Sequence, residues 1–519
     1  MNIFKNNLYL FALLEGAVVM AVELLTARMI APYFGSSLYI WGAVIGVTFT
    51  SLAIGYYIGG VLADRYPRKN TLYWVMLLPA LVIMVMPSIV EGLIMTFENS
   101  FSVFALITVC ILALLPSLGF LGMVPTLLIR LQSEEIGKSG KITGNVYTIS
   151  SLGGIMGIFL MGFWIIPKAG LTLPSFIIGI LLGMAPFVLL IRQKKYMAML
   201  FIVFLIIGLS AFKSKKVSAD IEVLYYAEGL LGQVLVADMK AGHSKQPGTK
   251  DRLLFVNRMG QTVVNLKTRK SRWSYPDYVT AIASVLPEKS DALILGLGGG
   301  TIANRLNRAL GLNVDAVEFD ARILEVAKRY FGLSKAVNPI IDDARHYLET
   351  TDKKYDLIVS DVLIGEISPA HLFTVECFEK AKTLLKPGGL LVVVFSGFIT
   401  GETGRAGRSL YKTLDAAGYK THMLPTWERE AQRNMLFIAS PEEKIFTSLR
   451  MLLPGNKGPV PLTSHYIDPK TLDFTDAITL TDDKPILAKL KFKAARAWRK
   501  KYIEVSTRLF SEKGVPLFE

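Results

Sequence analysis

The chain is short of the residues that build disulfide and metal sites. Its 519 residues include two cysteines and five histidines. Cys110 lies in an apolar run and Cys377 far downstream in a mixed one, so they make neither a disulfide framework nor a metal cluster. No histidines stand at zinc-ligand spacing, and no metal site is expected. Charged residues are also scarce, 19% of the chain, and what charge there is leans positive, to a formal +15. That excess invites a nucleic-acid reading. Many of the lysines and arginines instead flank apolar runs or sit near the C-terminus, as membrane orientation and anionic lipid require. No recognisable nucleic-acid module accompanies them, so no nucleic-acid partner is expected.

What is present divides near residue 213. Before it, runs near 8–30, 38–63, 72–95, 101–129, 143–166, 172–191 and 196–212 approach or exceed the ~20 apolar residues that cross a bilayer, the last being short. Six to seven spans over residues 1–212 predict an integral, multi-pass protein of an inner or plasma membrane, with the lipid bilayer as a partner. The first run does not read as a cleavable signal: it is long, contains Glu15 and Glu23, and is followed by further spans. The loop GGVLADRYPRKN, with Arg65, Arg68 and Lys69, marks the cytoplasmic side, as do basic segments near 130–141 and 192–195. A full crossing by 196–212 would carry the rest of the chain outside. Either that segment is re-entrant or interfacial, or another span is miscounted; a cytoplasmic side is favoured, because the nucleotide-binding pattern further along the chain argues for the inside.

Glu15 and Glu23 lie inside the first run, where an ionised carboxylate costs roughly 3 kcal/mol on insertion scales. At 3.6 residues per turn they project within about 80° of each other, so one cavity can hold both. They read either as ligands for a cation or a proton, or as partners of Arg28, Arg130 or backbone groups that hold the bundle together. The second use is the commoner.

Beyond residue 213 the pattern is that of a soluble α/β protein. Residues 221–266 alternate apolar and polar positions around Gly-centred turns, which predicts a small antiparallel sheet. A helix is expected from Tyr275 to about Leu286. Then DALILGLGGGTIANRL runs an apolar strand into Gly296, Gly298 and Gly300, and a second strand ends about twenty residues later in Glu318. This order describes a Rossmann-like nucleotide crevice, in which the glycines let backbone approach the ligand and the acid meets ribose hydroxyls. The segments NPIIDDARHYL, YDLIVSDVL and LLKPGGLLVVV continue the strand series. The expected architecture is therefore a multi-pass helical membrane domain (1–212), a small β-sheet domain (213–270), a Rossmann-like α/β domain (271–488) and a basic amphipathic tail (489–519). The tail reads equally as a helix on an anionic membrane surface or as a cap on the α/β domain.

Over 221–440, and again at TDDKPIL (481–487), the chain resembles the polyamine aminopropyltransferases, the spermidine synthase family, and among them the membrane-fused relatives. The helical segments GGVLADRYPRK, GMVPTLLIRL and SLGGIMGIFLMG make residues 1–192 similar to one six-helix half of a major-facilitator transporter. The synthase resemblance implies a class I S-adenosylmethionine-dependent transferase fold and decarboxylated S-adenosylmethionine, or S-adenosylmethionine itself, as donor. It also implies an amine or polyamine acceptor and no metal. It places Gln261 of QTVVN near the donor, Gly296, Gly298 and Gly300 under it, Glu318 at the ribose, and Asp342 and Asp343 at the adenine edge. Tyr275 and Asp277 of WSYPDYVTAIASVLP take the tyrosine and acid positions, and Asp361 that of the catalytic aspartate.

Three departures stand out. Gly299 replaces an aspartate that holds the donor's ammonium, Pro276 follows the tyrosine, and Ile364 replaces a second gate-loop acid, leaving Glu366 as a candidate substrate-binding substitute. The implied reaction is aminopropyl transfer to an amine with release of methylthioadenosine. The alternatives are S-adenosylmethionine-dependent methyl or aminocarboxypropyl transfer, and a non-catalytic, nucleotide-sensing amine transporter.

An acceptor amine with a pKa of about 10 is almost wholly protonated at neutral pH, so a carboxylate must take its proton. Asp361, at the C-terminal end of a parallel strand, suits that role. Blander readings stand beside each residue: Asp361 as a loop cap, Tyr275 as a core aromatic, Asp277 as a first-turn acid on the helix dipole, Glu366 as a solvated charge. No chemistry is assigned to His346 or His371. A homodimer is expected, since six-helix half-bundles pair to complete a cavity.

Overall fold

The computed structural model describes all residues except 1, 36–37, 98–102, 134–138, 211, 213–217, 230, 241–248, 363–368, 427–428, 431, 444–449, 452–458, 492, 496–505, 507–513 and 516–519, and the side chains of 2–7 and 38–39. It divides into two compact units. One comprises Met1–Ser218, Ala227–Gln233 and Thr507–Glu519; the other comprises Ala219–Tyr226 and Val234–Ser506.

The first unit is a helical bundle of α1 (Asn2–Phe34), α2 (Leu38–Arg65), α3 (Lys69–Thr96), α4 (Val103–Gln132) and α5 (Ser139–Leu160), continuing through a π-helical turn into α6 (Ile166–Ala169), then α7 (Thr172–Arg192) and α8 (Leu200–Ser210). Among the described residues, six stretches are long and apolar enough to cross a membrane: Leu8–Phe34, Ile40–Arg65, Lys69–Thr96, Val103–Gln132, Ser139–Ala169 and Thr172–Arg192. The seventh expected run forms only the shorter apolar helix Tyr196–Ser210. Helix α1 packs chiefly on α5, α2 on α4, and α3 on α7. Small residues permit these approaches: a Cβ on Gly16 would lie 1.8 Å from the Ser150 carbonyl oxygen, and one on Gly153 2.0 Å from that of Leu13. The glycines of SLGGIMG thus serve helix packing. Arg130 meets Asp64 at 4.0 Å rather than either acid of α1.

The second unit begins with β1 (Ile221–Ala227), β2 (Val234–Lys240), β3 (Lys250–Val256) and β4 (Met259–Asn265), paired in chain order. The β2–β3 and β3–β4 pairs are antiparallel, as the alternating pattern predicted. Helix α9 (Tyr275–Ala283) follows. It stops short of the expected Leu286 because the residue before Pro287 is pushed out of the α region.

The α/β core then runs β5 (Asp291–Leu295), α10 (Thr301–Leu310), β6 (Asn313–Glu318), α11 (Ala321–Tyr330), β7 (Asn338–Ile341), α12 (Ala344–Thr350), β8 (Tyr355–Ser360), α13 (Val375–Thr383), β9 (Leu385–Ser396), α14 (Arg405–Ala416), β10 (Lys420–Pro425) and β11 (Asn434–Ser440). The seven-stranded sheet has the order β10-β11-β9-β8-β5-β6-β7. Strands β5 to β9 pair in parallel, whereas β11 is antiparallel to both of its neighbours. Apolar side chains cover both faces, which is why these strands read as continuous hydrophobic runs. Chain order reverses between β5 and β8, and in open α/β sheets the carboxyl ends at such a reversal form the ligand crevice.

Candidate active site

The candidate residues come to the carboxyl edge of the sheet by different routes: Gln261 from within β4, Tyr275 and Asp277 from the start of α9, and the others from strand ends and the loops after them. The Asp361 N–H donates to the Leu295 carbonyl at 2.9 Å, tying the end of β8 to the end of β5. Gly296 turns away with φ +89°, and a Cβ there would lie 2.3 Å from the Asp361 carbonyl oxygen. Only glycine fits that combination of left-handed backbone and close approach. Gly298 and Gly300 also have positive φ, and Gly300 begins α10.

Glu318, the last residue of β6, accepts the Leu297 N–H at 3.1 Å on one oxygen and the Asp320 N–H at 3.0 Å on the other. Burial pushes its pKa up, opposed by those N–H groups. The acid is therefore locked to the glycine loop that leads into α10. Asp342 lies beyond β7 with its carboxylate 2.8 Å from His346 Nδ1. Asp343 caps α12, accepting the Arg345 and His346 N–H groups, and lies 3.6 Å from His371 Nε2. The two histidines given no role thus stand beside the two acids. Arg345 braces this corner through the His371 carbonyl at 3.0 Å and Asp482 of the TDDKPIL segment at 2.9 Å.

Tyr275 and Asp361, 86 positions apart, meet: the Tyr275 hydroxyl donates to Asp361 Oδ2 at 3.1 Å. Burial pushes the Asp361 carboxyl up to about 6, and the tyrosine hydroxyl pulls against that rise. A carboxylate of this kind is ionised at neutral pH yet more basic than an exposed one, as a general base should be. Asp277, in the first turn of α9, is ion-paired with Arg305 of α10, which sets it as an anchor between these helices. Gln261 lies in β4, and a Cβ on Gly298 would come within 3.8 Å of its carbonyl oxygen, so the small sheet reaches the glycine loop. Glu366 and Ile364 lie outside the described residues.

Sequence reasoning missed three features. Thr262 accepts the Gly299 N–H at 2.9 Å, and a Cβ on Gly299 would meet its Cγ2 at 2.7 Å. The space an aspartate would occupy is filled by this threonine. Phe319 and Ile341, next in chain to Glu318 and Asp342, are large apolar side chains 53% and 48% exposed. Exposed apolar groups at that edge suit the faces of an adenine ring. Among the described residues no group of metal ligands is found.

Residues 275–429 match the family model described as the spermine/spermidine synthase domain. The chain is 33% identical over 193 residues to the N-terminal histidine N-methyltransferase of Emericella nidulans, covering 36% of this chain and 31% of that protein. It is 33% identical over 134 residues to the polyamine aminopropyltransferase of Thermoplasma volcanium, covering 24% and 49%. It is 21% identical over 435 residues to polyamine aminopropyltransferase 2 of Aquifex aeolicus, covering 79% of this chain and 82% of that one. The last alignment is too long to lie in the α/β unit alone and takes in part of the apolar helices. The first curated relatives are spanned over only 31% to 50% of their length.

Among solved structures, a probable spermidine synthase from Corynebacterium glutamicum aligns with a TM-score of 0.39 at 19% identity, over 50% of this chain and 96% of that one. The likeness of residues 1–192 to a transporter half rests on its motifs alone. The match to the spermine/spermidine synthase domain model, residues 275–429, runs from α9 through β10 and so takes in the carboxyl ends of β5 and β8.

Proposed function

We propose that the chain is a membrane-anchored aminopropyltransferase that moves the aminopropyl group of decarboxylated S-adenosylmethionine to an amine. The observation that carries this reading is the Tyr275–Asp361 hydrogen bond at the crevice, across the glycine loop from Glu318. Glu318 would hold the ribose hydroxyls, and Asp342 and Asp343 the adenine edge with Phe319 and Ile341 beside them. Asp361 takes a proton from the acceptor ammonium. The freed nitrogen lone pair attacks the methylene next to the sulfonium, a C–N bond forms, the C–S bond breaks, and its electron pair leaves on sulfur as methylthioadenosine. The leaving group is a cation that becomes neutral, so no acid is needed. Tyr275 orients Asp361 and hydrogen-bonds the same amine, while Asp277, paired with Arg305, fixes the first turn of α9.

The six apolar helices support attachment to a membrane, with the α/β unit on the cytoplasmic side where such donors are made. A linear amine or polyamine is the acceptor class that the named aminopropyltransferase relatives suggest.

Gly299 favours a second reading. With Thr262 filling the place of an acid, the donor tail is held otherwise, and the methyltransferase relative keeps methyl or aminocarboxypropyl transfer from S-adenosylmethionine in view. Calorimetric titration of the full chain in mild detergent with both donors separates the two. Tighter binding of the decarboxylated donor supports aminopropyl transfer; tighter binding of the carboxylated donor supports the second reading.

A further inference from the structure

The transfer reaction leaves one group of polar side chains in the helical unit without a use. Glu15 sits near the middle of α1 and is 2% exposed. Ser150 of α5 donates to its Oε2 at 2.7 Å, and among the described residues no basic side chain forms an ion pair with it. Tyr56 of α2 lies within electrostatic reach of both Glu15 and Tyr147 of α5. Further along α1, Glu23 faces Thr48 of α2. Thr48 is 3% exposed, and its hydroxyl makes no hydrogen bond that meets normal geometry.

The two pairs share one antiparallel register, since 15 to 23 on α1 matches 56 back to 48 on α2. They are two rungs of a single seam, about 12 Å apart along the axis at a rise of ~1.5 Å per residue.

Carboxylates inside apolar helices are paired or functional, because an unneutralised charge there is expensive. Among the described residues, Glu15 has a hydroxyl partner in Ser150 and Tyr56 within electrostatic reach, Tyr147 lying in turn within reach of Tyr56, but it has no counter-ion. Aromatic rings beside a carboxylate favour an organic ammonium, which gains from both the charge and the ring faces. A metal ion fits less well, as no three metal ligands gather among the described residues. A linear triamine, with about nine bonds of roughly 1.5 Å between its end nitrogens, reaches from one rung to the other once its zigzag is allowed for.

We propose that the α1–α2–α5 seam binds a linear polyamine cation, with one terminal ammonium at Glu15, Ser150, Tyr56 and Tyr147 and the other at Glu23 and Thr48. This inference stands on the helical unit and does not depend on which reaction the α/β unit performs.

The test is equilibrium binding of radiolabelled spermidine and 1,4-diaminobutane to the full chain in lipid nanodiscs, for the wild type and for Glu15→Gln, Glu23→Gln and Tyr147→Ala. The wild type is expected to hold spermidine at least tenfold tighter than the shorter diamine. Because the crevice is proposed to take an amine as well, the seam is read as a second spermidine site: both Gln variants are expected to weaken that site at least tenfold, erase its length preference and leave the crevice site unchanged. Binding of the adenosyl donor and a monodisperse elution profile report folding independently of the seam. If Glu15→Gln fails to fold, Glu23→Gln and Tyr147→Ala carry the test. Folded variants that bind spermidine like the wild type would overturn the proposal and leave the acids as proton carriers or bundle ties.

Discussion

Replacing Asp361 by asparagine should slow transfer sharply and at the same time stabilise the α/β unit. Burial lifts the carboxyl from 3.8 to about 6, equivalent to about 3 kcal/mol. Asp361 keeps some solvent contact, so a gain of about 1–2 kcal/mol is the reasonable expectation. The sign follows from linkage. A folded-state pKa above the unfolded value means that the ionised acid opposes folding, fully above about pH 6 and not at all below about pH 4. The asparagine, which has no charge to bury and can still accept from Tyr275, should therefore raise the unfolding temperature near pH 8 and lose that advantage toward pH 4. Thermal unfolding of the full chain in detergent, followed through the α/β unit at several pH values, reads this directly. Methylthioadenosine release should fall by about 10²–10⁴-fold, the usual weight of a general base. A variant destabilised equally at all pH values would refute the reasoning, because Asp361 would then be a structural cap.

Three further substitutions probe the same crevice. Tyr275→Phe removes the hydroxyl that restrains the Asp361 pKa, so the acid limb of the pH–rate profile should move above that of the wild type; an unmoved limb would contradict the contact. Glu318→Gln should weaken donor binding by about 10–100-fold, as loss of a charged hydrogen-bond acceptor costs about 1.5–3 kcal/mol, with calorimetry as the check and unchanged affinity as the adverse result. Gly296→Ala forces a side chain toward the Asp361 carbonyl at φ +89°, and strain of about 1–3 kcal/mol should lower both the unfolding temperature and the rate.

Local features were legible in the sequence and long-range pairings were not. The strand–glycine–acid order from Asp291 to Glu318 has a fixed period and punctuation, and the structure builds it as read. The apolar runs likewise announced six long helices, and the seventh was already marked as short. Resemblance placed Tyr275 and Asp361 in one site, but nothing in a linear chain states that their oxygens lie 3.1 Å apart. Thr262 was invisible because its role depends on β4 arriving beside Gly299, a contact across 37 positions. The partner of Asp277, Arg305, sits on a different helix and is chosen by packing. Glu15 was readable as an acid in an apolar run, whereas Ser150 as its partner required the approach of α5 that Gly16 and Gly153 permit.

The central claim is that this crevice transfers an aminopropyl group. Its most direct test is incubation of the purified full chain with decarboxylated S-adenosylmethionine and an amine acceptor, with mass-spectrometric detection of both products. The account predicts methylthioadenosine and an amine longer by one aminopropyl unit, in equal amounts, with both formed about 10²–10⁴-fold more slowly by the Asp361→Asn protein. Absence of both, or turnover only of S-adenosylmethionine to S-adenosylhomocysteine, would contradict it.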